Sequence, residues 1–220
     1  MRAAVMKLYG YFRSSATYRV RIALNLKGIP WEAVLVDLRA PVSAQHTSEF
    51  RALNPQGLIP VLVDGPHTLT QSLAILEYLE ETHPQPPLLP RPPAARAAVR
   101  ALALAIACDI HPLDNLRVLN YLRSPLGHDD ATVQTWYAHW ITLGFSALEQ
   151  EVRRLGDGRH LYGDSVTLAD VCLVPQMANA RRYSCDIEPF PTLRAICAHL
   201  ESLPAFAQAA PQVQPDAAPA

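Results

Sequence analysis

Two adjacent hydroxyls, Ser14 and Ser15, stand in the stretch Arg13-Ser14-Ser15-Ala16-Thr17-Tyr18-Arg19-Val20-Arg21-Ile22-Ala23-Leu24, where an apolar strand (Met6 to Phe12) gives way to a helix. The first turn of a helix carries backbone N–H groups with no intrahelical acceptor, and the helix dipole adds positive charge there, so the turn favours an anion. A thiolate is one anion such donors can hold. The turn has no cysteine of its own, so that thiolate would have to arrive on a bound molecule.

Two further segments carry chemistry of the same kind. In Leu58-Ile59-Pro60-Val61-Leu62-Val63, Pro60 interrupts what otherwise reads as a strand. Proline removes a ladder donor, so this is either an edge-strand proline or a cis Ile59-Pro60 bond entering the strand, which leaves the Ile59 backbone to pair with an extended peptide from outside. Gln71-Ser72 opens a helix marked by Leu73, Ile75, Leu76 and Leu79, and Ser72 can serve as a plain N-cap or hold a ligand carboxylate. Metal chemistry is not expected. Cys108, Cys172, Cys185 and Cys197 form no C-x-x-C pair, three of them sit in apolar helical patterns as small hydrophobes, and no two of the eight histidines stand at i, i+4 with an acidic neighbour, the spacing that would suggest zinc.

The elements that must position these residues fall into two groups. Residues 1–84 read as a thioredoxin-like α/β domain: strand Met6 to Phe12, helix Tyr18 to Lys27 stopped by Gly28, strand Trp31 to Asp37, a helix or loop, then Asn54-Pro55, strand Leu58 to Val63, the turn Asp64-Gly65, strand His67 to Thr70 and the helix ending near His83. Six prolines between Pro84 and Pro93 mark a linker over 85–93. Residues 94–210 are helical throughout, with a long helix to about Leu122 bent at Pro112, a second from Asp130 to about Arg154, a box of Thr167 and Asp170 opening a third, and a last one from Thr192 to Leu200. The Pro- and Ala-rich end, 211–220, reads as a disordered tail.

Bulk properties narrow the partners. A chain of 220 residues with 50% hydrophobic residues can bury one or two cores, and a formal net charge of −1 offers no basic surplus for nucleic acid. No stretch reads as a membrane span or a secretion signal, so a soluble cytoplasmic protein acting on a small molecule is expected.

Taken in order, the Ser-Ser turn, Asn54-Pro55 leading to Ile59-Pro60, Gln71-Ser72, the Pro-rich linker and Thr167-Leu168-Ala169-Asp170 resemble a glutathione transferase. Ser14-Ser15-x-x-x-Arg19-Val20-Arg21-Ile22-Ala23-Leu24, Asp109-Ile110-His111-Pro112-Leu113-x-Asn115-Leu116-Arg117-Val118-Leu119 and Leu173-Val174-Pro175-Gln176 resemble in particular the zeta class, which includes maleylacetoacetate isomerases and bacterial maleylpyruvate isomerases. The resemblance implies a glutathione transferase fold, a homodimer, and glutathione as cofactor with its sulfur at Ser14 and Ser15, its cysteinyl backbone paired with Ile59 beside a cis Pro60, and its γ-glutamyl end at Gln71 and Ser72. It further implies that Gln45, His111 and Asn115 line the pocket, and that Arg182, with Arg13 and Arg117 behind it, binds a substrate carboxylate.

One position departs from the pattern. Many zeta-class chains carry Ser-Ser-Cys where this one has Ala16. Glutathione brings its own thiol, so an isomerase survives the change, whereas redox or alkylation behaviour tied to that cysteine does not carry over. Isomerisation of maleylacetoacetate to fumarylacetoacetate in aromatic amino-acid catabolism is the first expectation, with maleylpyruvate isomerisation in gentisate catabolism beside it. A broad glutathione transferase or α-haloacid dehalogenase, and a non-catalytic binding domain of the same fold, are the other readings.

Overall fold

The computed structural model describes residues 5–39 and 43–217, which form two compact units: the first holds the chain up to Pro87 together with the segment from Leu203 onward, and the second runs from Leu88 to Ser202. The first is built on a four-stranded mixed sheet of β1 (Met6–Gly10), β2 (Trp31–Leu35), β3 (Val61–Asp64) and β4 (His67–Thr70) in the order β2-β1-β3-β4. β1 pairs parallel with β2, Leu8 opposite Ala33, and antiparallel with β3, Leu8 opposite Leu62. A short hairpin brings β4 back with Leu62 opposite Leu69.

Helices α1 (Ser15–Leu26), α2 (Ser48–Leu53) and α3 (Ser72–Thr82) complete this part of the unit. Val20, Ile22, Ala23 and Leu24 of α1 and Ile75, Leu76 and Leu79 of α3 are fully buried, as the apolar spacing requires. Gly28 stops α1 at φ +63°, where a residue with a Cβ is strained. Lys27, at the end of α1, sends its Nζ to Glu80 Oε2 at 2.8 Å and to the carbonyls of His83 (2.7 Å) and Pro86 (3.0 Å), tying the end of α1 to the end of α3.

The second unit is helical: α4 (Pro93–Leu104), a π-helical turn (Ala105–Ile110), α5 (Leu116–Arg123), α6 (Asp130–Leu155), α7 (Leu168–Arg182) and α8 (Pro191–Glu201). Its core gathers Val99, Ile106, Tyr137, Ile141, Phe145, Val171, Leu173, Met177, Leu193 and Ile196, all fully buried. The expected single bent helix to Leu122 is broken: after the π-helical turn the chain leaves helical pairing, and Asn115 starts α5 afresh by accepting the Arg117 N–H at 3.1 Å. Pro112 has no N–H to continue a helix, and the Asn115 cap makes a restart favourable. The 85–93 linker is narrower than its prolines suggest, because Leu88 and Leu89 are buried and the Leu88 carbonyl accepts the Leu168 N–H at 2.9 Å.

The expected disordered tail also differs. Residues 203–217 form α9 (Pro204–Ala207) and a 3-10 turn (Pro211–Val213), and Gln214 Nε2 donates to the carbonyls of Gln208 and Ala210, both at 2.9 Å. Composition alone does not reveal that one buried glutamine satisfies two carbonyls. Residues 218–220 of that tail lie outside the described residues.

At the start of α7, Asp170 is fully buried and accepts from the Leu161 N–H (2.8 Å), the Thr167 N–H (2.7 Å) and the Thr167 hydroxyl (2.8 Å). Asp170→Ala leaves those donors unpaired and is expected to cost about 2–5 kcal/mol, whereas Thr167→Ala removes one of them and costs about 1 kcal/mol. Chemical denaturation measures both. The folded fraction of either variant should keep its kinetic constants, and a large activity loss at unchanged stability would make this corner part of the site.

Candidate active site

In the first unit the strand-to-helix turn is organised as the residues dictate. Ser14 is the N-cap of α1, with extended backbone (φ −68°, ψ 115°), and its Oγ accepts the Thr17 N–H at 3.2 Å. Ser15 follows as the first helical residue and is buried. The Ser14 oxygen receives one hydrogen bond, so its O–H can still be given to an anion in front of the turn. Gly10 lets the helix come this close, since a Cβ there would stand 2.3 Å from Thr17 Cγ2.

The Ile59–Pro60 bond is cis, which settles the two sequence readings, and Ile59 and Pro60 precede β3, so the Ile59 backbone lies outside the ladder. The approach to it is shaped by Asn54, buried, whose Nδ2 donates to the Leu58 carbonyl at 2.6 Å and whose Oδ1 accepts the Gln56 N–H at 3.1 Å. At α3 the N-cap is Gln71 rather than Ser72. Gln71 holds φ +68°, a conformation that side chains with a Cβ rarely adopt, and its side chain turns to Gln56 (Nε2 to Oε1, 2.8 Å) instead of capping the helix. The first-turn N–H groups of α3 are thereby left without a side-chain cap. Ser72 is buried and accepts from Arg19 Nη1 at 3.3 Å. Gln45, in the 3-10 turn Ala44–His46, is buried with its Oε1 lacking a hydrogen-bond partner among the described residues.

In the second unit, His111 closes the π-helical turn, Asn115 caps α5 and Arg117 is exposed in the first turn of α5. Arg181 and Arg182, adjacent and both exposed, differ in what they face. Arg181 pairs with Glu201 at 2.6 Å, while the Arg182 guanidinium stands 4.8 Å from the Tyr183 ring centroid, and Tyr183 in turn stacks on Tyr137 at 3.9 Å. Among the described residues no carboxylate ion-pairs with Arg182. Arg13, in the first unit, likewise lies over an aromatic face, 4.8 Å from the Phe12 ring centroid, with no acid paired to it among the described residues.

Sequence reasoning missed Arg19, Gln56 and Asp114. Arg19 and Arg21 within a helix that is otherwise apolar are a readable signal, since a buried guanidinium must be paired. Asp114 is the unassigned residue between Leu113 and Asn115; it is buried, and neither carboxylate oxygen has a hydrogen-bond partner among the described residues. Burial pushes its pKa up to about 8. The Tyr137 hydroxyl is equally unpartnered among them, and burial first and Asp114 second raise its pKa. The same two causes push the Cys185 thiol up to about 11. Among the described residues no group of three or more His, Cys, Asp or Glu could hold a metal ion, and no helix is long and apolar enough to cross a membrane.

A family model for the glutathione S-transferase N-terminal domain matches residues 8–87. A probable maleylacetoacetate isomerase from Vibrio cholerae is 54% identical over 210 residues, 96% of this chain and 97% of that protein. A holo structure of a maleylpyruvate isomerase, described as a bacterial zeta-class glutathione S-transferase, superposes with TM-score 0.92 at 47% identity, covering 96% of this chain and all (100%) of that one. A maleylacetoacetate isomerase from Methylobacterium extorquens AM1, with malonate and glutathione bound, superposes with TM-score 0.91 at 43% identity over 97% of this chain and 100% of the other. The fold is that of a glutathione transferase, and the chain belongs to the zeta class, the family of maleylacetoacetate and maleylpyruvate isomerases.

The raised pKa of Asp114 has a signed consequence for stability. Its folded value of about 8 lies above the ordinary carboxylate value near 4, so its contribution is complete below pH ~4 and is lost as pH rises through about 8. The wild type is therefore expected to lose melting temperature between pH 6 and pH 9 relative to Asp114→Asn, which has no proton to lose. Parallel pH profiles for the two proteins would show that Asp114 is ionised throughout.

Proposed function

We propose that the chain is a glutathione-dependent cis–trans isomerase that converts maleylacetoacetate to fumarylacetoacetate in aromatic amino-acid catabolism, working in the cytoplasm as a homodimer. The observation that carries the reading is the Ser14 cap of α1, set in the same unit as the cis Pro60 turn and the uncapped start of α3. Maleylpyruvate is the second candidate substrate, favoured by the 47% identity to the maleylpyruvate isomerase. The relative solved with malonate and glutathione supports a dicarboxylate of this kind.

The residues present fit glutathione. Ser14 and Ser15 offer hydroxyl and amide donors to a sulfur, the Ile59 backbone outside the ladder suits a peptide strand, and the α3 N-terminus at Gln71 and Ser72 suits the γ-glutamyl carboxylate. Gln45, whose Oε1 has no hydrogen-bond partner among the described residues, suits an N–H donor of the same peptide. When bound, glutathione supplies a thiolate whose reversible addition to the conjugated double bond allows rotation about that bond and whose departure returns it unchanged. The chain's own contribution is electrostatic. Ser14 and the dipole of α1 stabilise negative charge on the sulfur, lowering a thiol pKa by about one or two units, each worth ~1.4 kcal/mol. Arg182, held over Tyr183 with no acid paired to it among the described residues, is the carboxylate clamp, and Arg13 and Arg117 are further cations for a substrate with two such groups. His111 and Asn115 are assigned to the pocket, Asn115 with its Oδ1 already committed to Arg117 N–H and only its amide NH2 left to donate.

Ser14→Ala is expected to raise the pKa of bound thiol, read by its absorbance near 240 nm, and to lower kcat more than it raises the glutathione KM. A thiol titration identical to wild type would remove Ser14 from this role. For Arg182, loss of bidentate geometry in Arg182→Lys should already impair isomerisation, and Arg182→Ala should cost about 2–4 kcal/mol in kcat/KM, while conjugation of chlorodinitrobenzene, which has no carboxylate, barely changes. Equal losses on both substrates would transfer the carboxylate to Arg13 or Arg117.

A further inference from the structure

The segment 203–217 runs along α1 and is fastened to it and to Phe12, just past β1, by a row of hydrogen bonds. Asn25 Nδ2 donates to the Ala205 carbonyl at 3.1 Å, Arg21 Nε donates to the Ala209 carbonyl at 2.9 Å, and Asp216 Oδ2 accepts the Phe12 N–H at 2.9 Å. Arg21 Nη2 also donates to the Phe12 carbonyl at 3.0 Å. Both polar groups of Phe12 are therefore held from outside the sheet, two residues before the Ser14 cap.

We propose that Asp216 and Arg21 are positioning residues for the thiolate site, with the C-terminal segment acting as a strap that sets the Phe12 peptide and, through it, the placement of the Ser14 hydroxyl. The inference rests on the reading of Ser14 as the thiolate donor. Phe12 lies just past β1, which ends at Gly10, so the ladder with β2 and β3 stops short of it. The Phe12 side chain is buried, but a cavity of about 100 Å³ lies under this part of the strap, lined by Thr17, Arg21, Trp31 and Asp216 among others. Thr17 Oγ1, on the first turn of α1, is buried beside it without a hydrogen-bond partner among the described residues. With no ladder beside it, the Phe12 peptide has its N–H and C=O held by the strap and by Arg21, inside a turn closed by the Ser14 N–H on the Tyr11 carbonyl at 3.0 Å. Arg21 is itself almost wholly buried, and burial lowers its pKa to about 10 while the charge of Asp216 opposes the shift, so at neutral pH the guanidinium stays cationic and keeps donating. Gln214 stiffens the strap just before Asp216 by bridging the Gln208 and Ala210 carbonyls.

The test compares wild type, Asp216→Ala, Asp216→Asn and Ser14→Ala as full-length proteins. Amide hydrogen exchange on the glutathione-free protein reads the Phe12 N–H, and the 240 nm titration reads the thiol of bound glutathione. Asp216→Ala should speed Phe12 exchange about tenfold or more and raise the thiol pKa by about half a unit or more, with kcat falling more than the KM for substrate rises. Asp216→Asn, whose amide oxygen still accepts the Phe12 N–H, should restore both readings, which loss of general stability would not explain. If Asp216→Ala does not fold, Asp216→Ser gives the same comparison. Unchanged Phe12 exchange or an unchanged titration in Asp216→Ala, while Ser14→Ala shifts the titration, overturns the strap alone. An unchanged titration in Ser14→Ala overturns the thiolate reading and the strap's role with it.

Discussion

The hydrogen bond from the Thr17 N–H to Ser14 Oγ is made where β1 has stopped pairing and α1 has begun, and the geometry of the first unit follows from it. It places a hydroxyl at the positive end of α1, and α1 is the helix against which α3 packs and along which the C-terminal segment runs. The constraint acts in both directions. Gly10 must lack a side chain for Thr17 to approach, and Arg19, carried one turn further, reaches Ser72 at the start of α3. The two helix N-termini proposed to hold the sulfur and the γ-glutamyl carboxylate are thus joined by a single buried arginine. This is why the zeta-class segment reads as Ser-Ser followed by Arg-Val-Arg in an otherwise apolar helix: Arg19 fastens one N-terminus and Arg21 the turn before the other.

The second unit answers a different problem, which is how to leave a cation available. Neighbouring arginines at the end of α7 would both be neutralised by a nearby acid if one were in reach of both. Instead Glu201 takes Arg181, and Arg182 rests on the Tyr183 ring, whose face attracts a cation without neutralising its charge. Tyr137, stacked under the Tyr183 ring, and Asp114 are buried with polar atoms that lack hydrogen-bond partners among the described residues, an expensive arrangement in a core that is otherwise apolar. Keeping Asp114 protonated near neutral pH removes most of that cost.

Much of this was legible in the residues. The Ser14 turn, the Pro60 turn, the α3 start and the Thr167–Asp170 box are short local patterns whose function depends on backbone geometry, and a sequence reports local geometry well. The long-range features were not. A proline and an asparagine three residues apart, Pro112 and Asn115, permit either a kink or a restart, and only the packing of the π-helical turn decides for the latter. Gln71 at positive φ was hidden because nothing in its type announces it. The strap was hidden because Pro- and Ala-rich composition resembles disorder until Gln214 and Asp216 are seen to satisfy buried carbonyls and an N–H. Asp114 stands among other polar residues, Asp109, His111, Asn115 and Arg117, and nothing in its type or spacing marks it as the one whose carboxylate is buried.

The central claim is that the chain lends its charge to a cofactor thiol and consumes nothing. Isomerisation of maleylacetoacetate should therefore be followed with glutathione present, absent, and replaced by S-methylglutathione, while free thiol is counted before and after turnover. The account predicts formation of the trans product only with glutathione, at constant thiol, and inhibition by the S-methyl analogue, which fills the site without a sulfur nucleophile. Turnover without glutathione, or loss of one thiol per product, would contradict it.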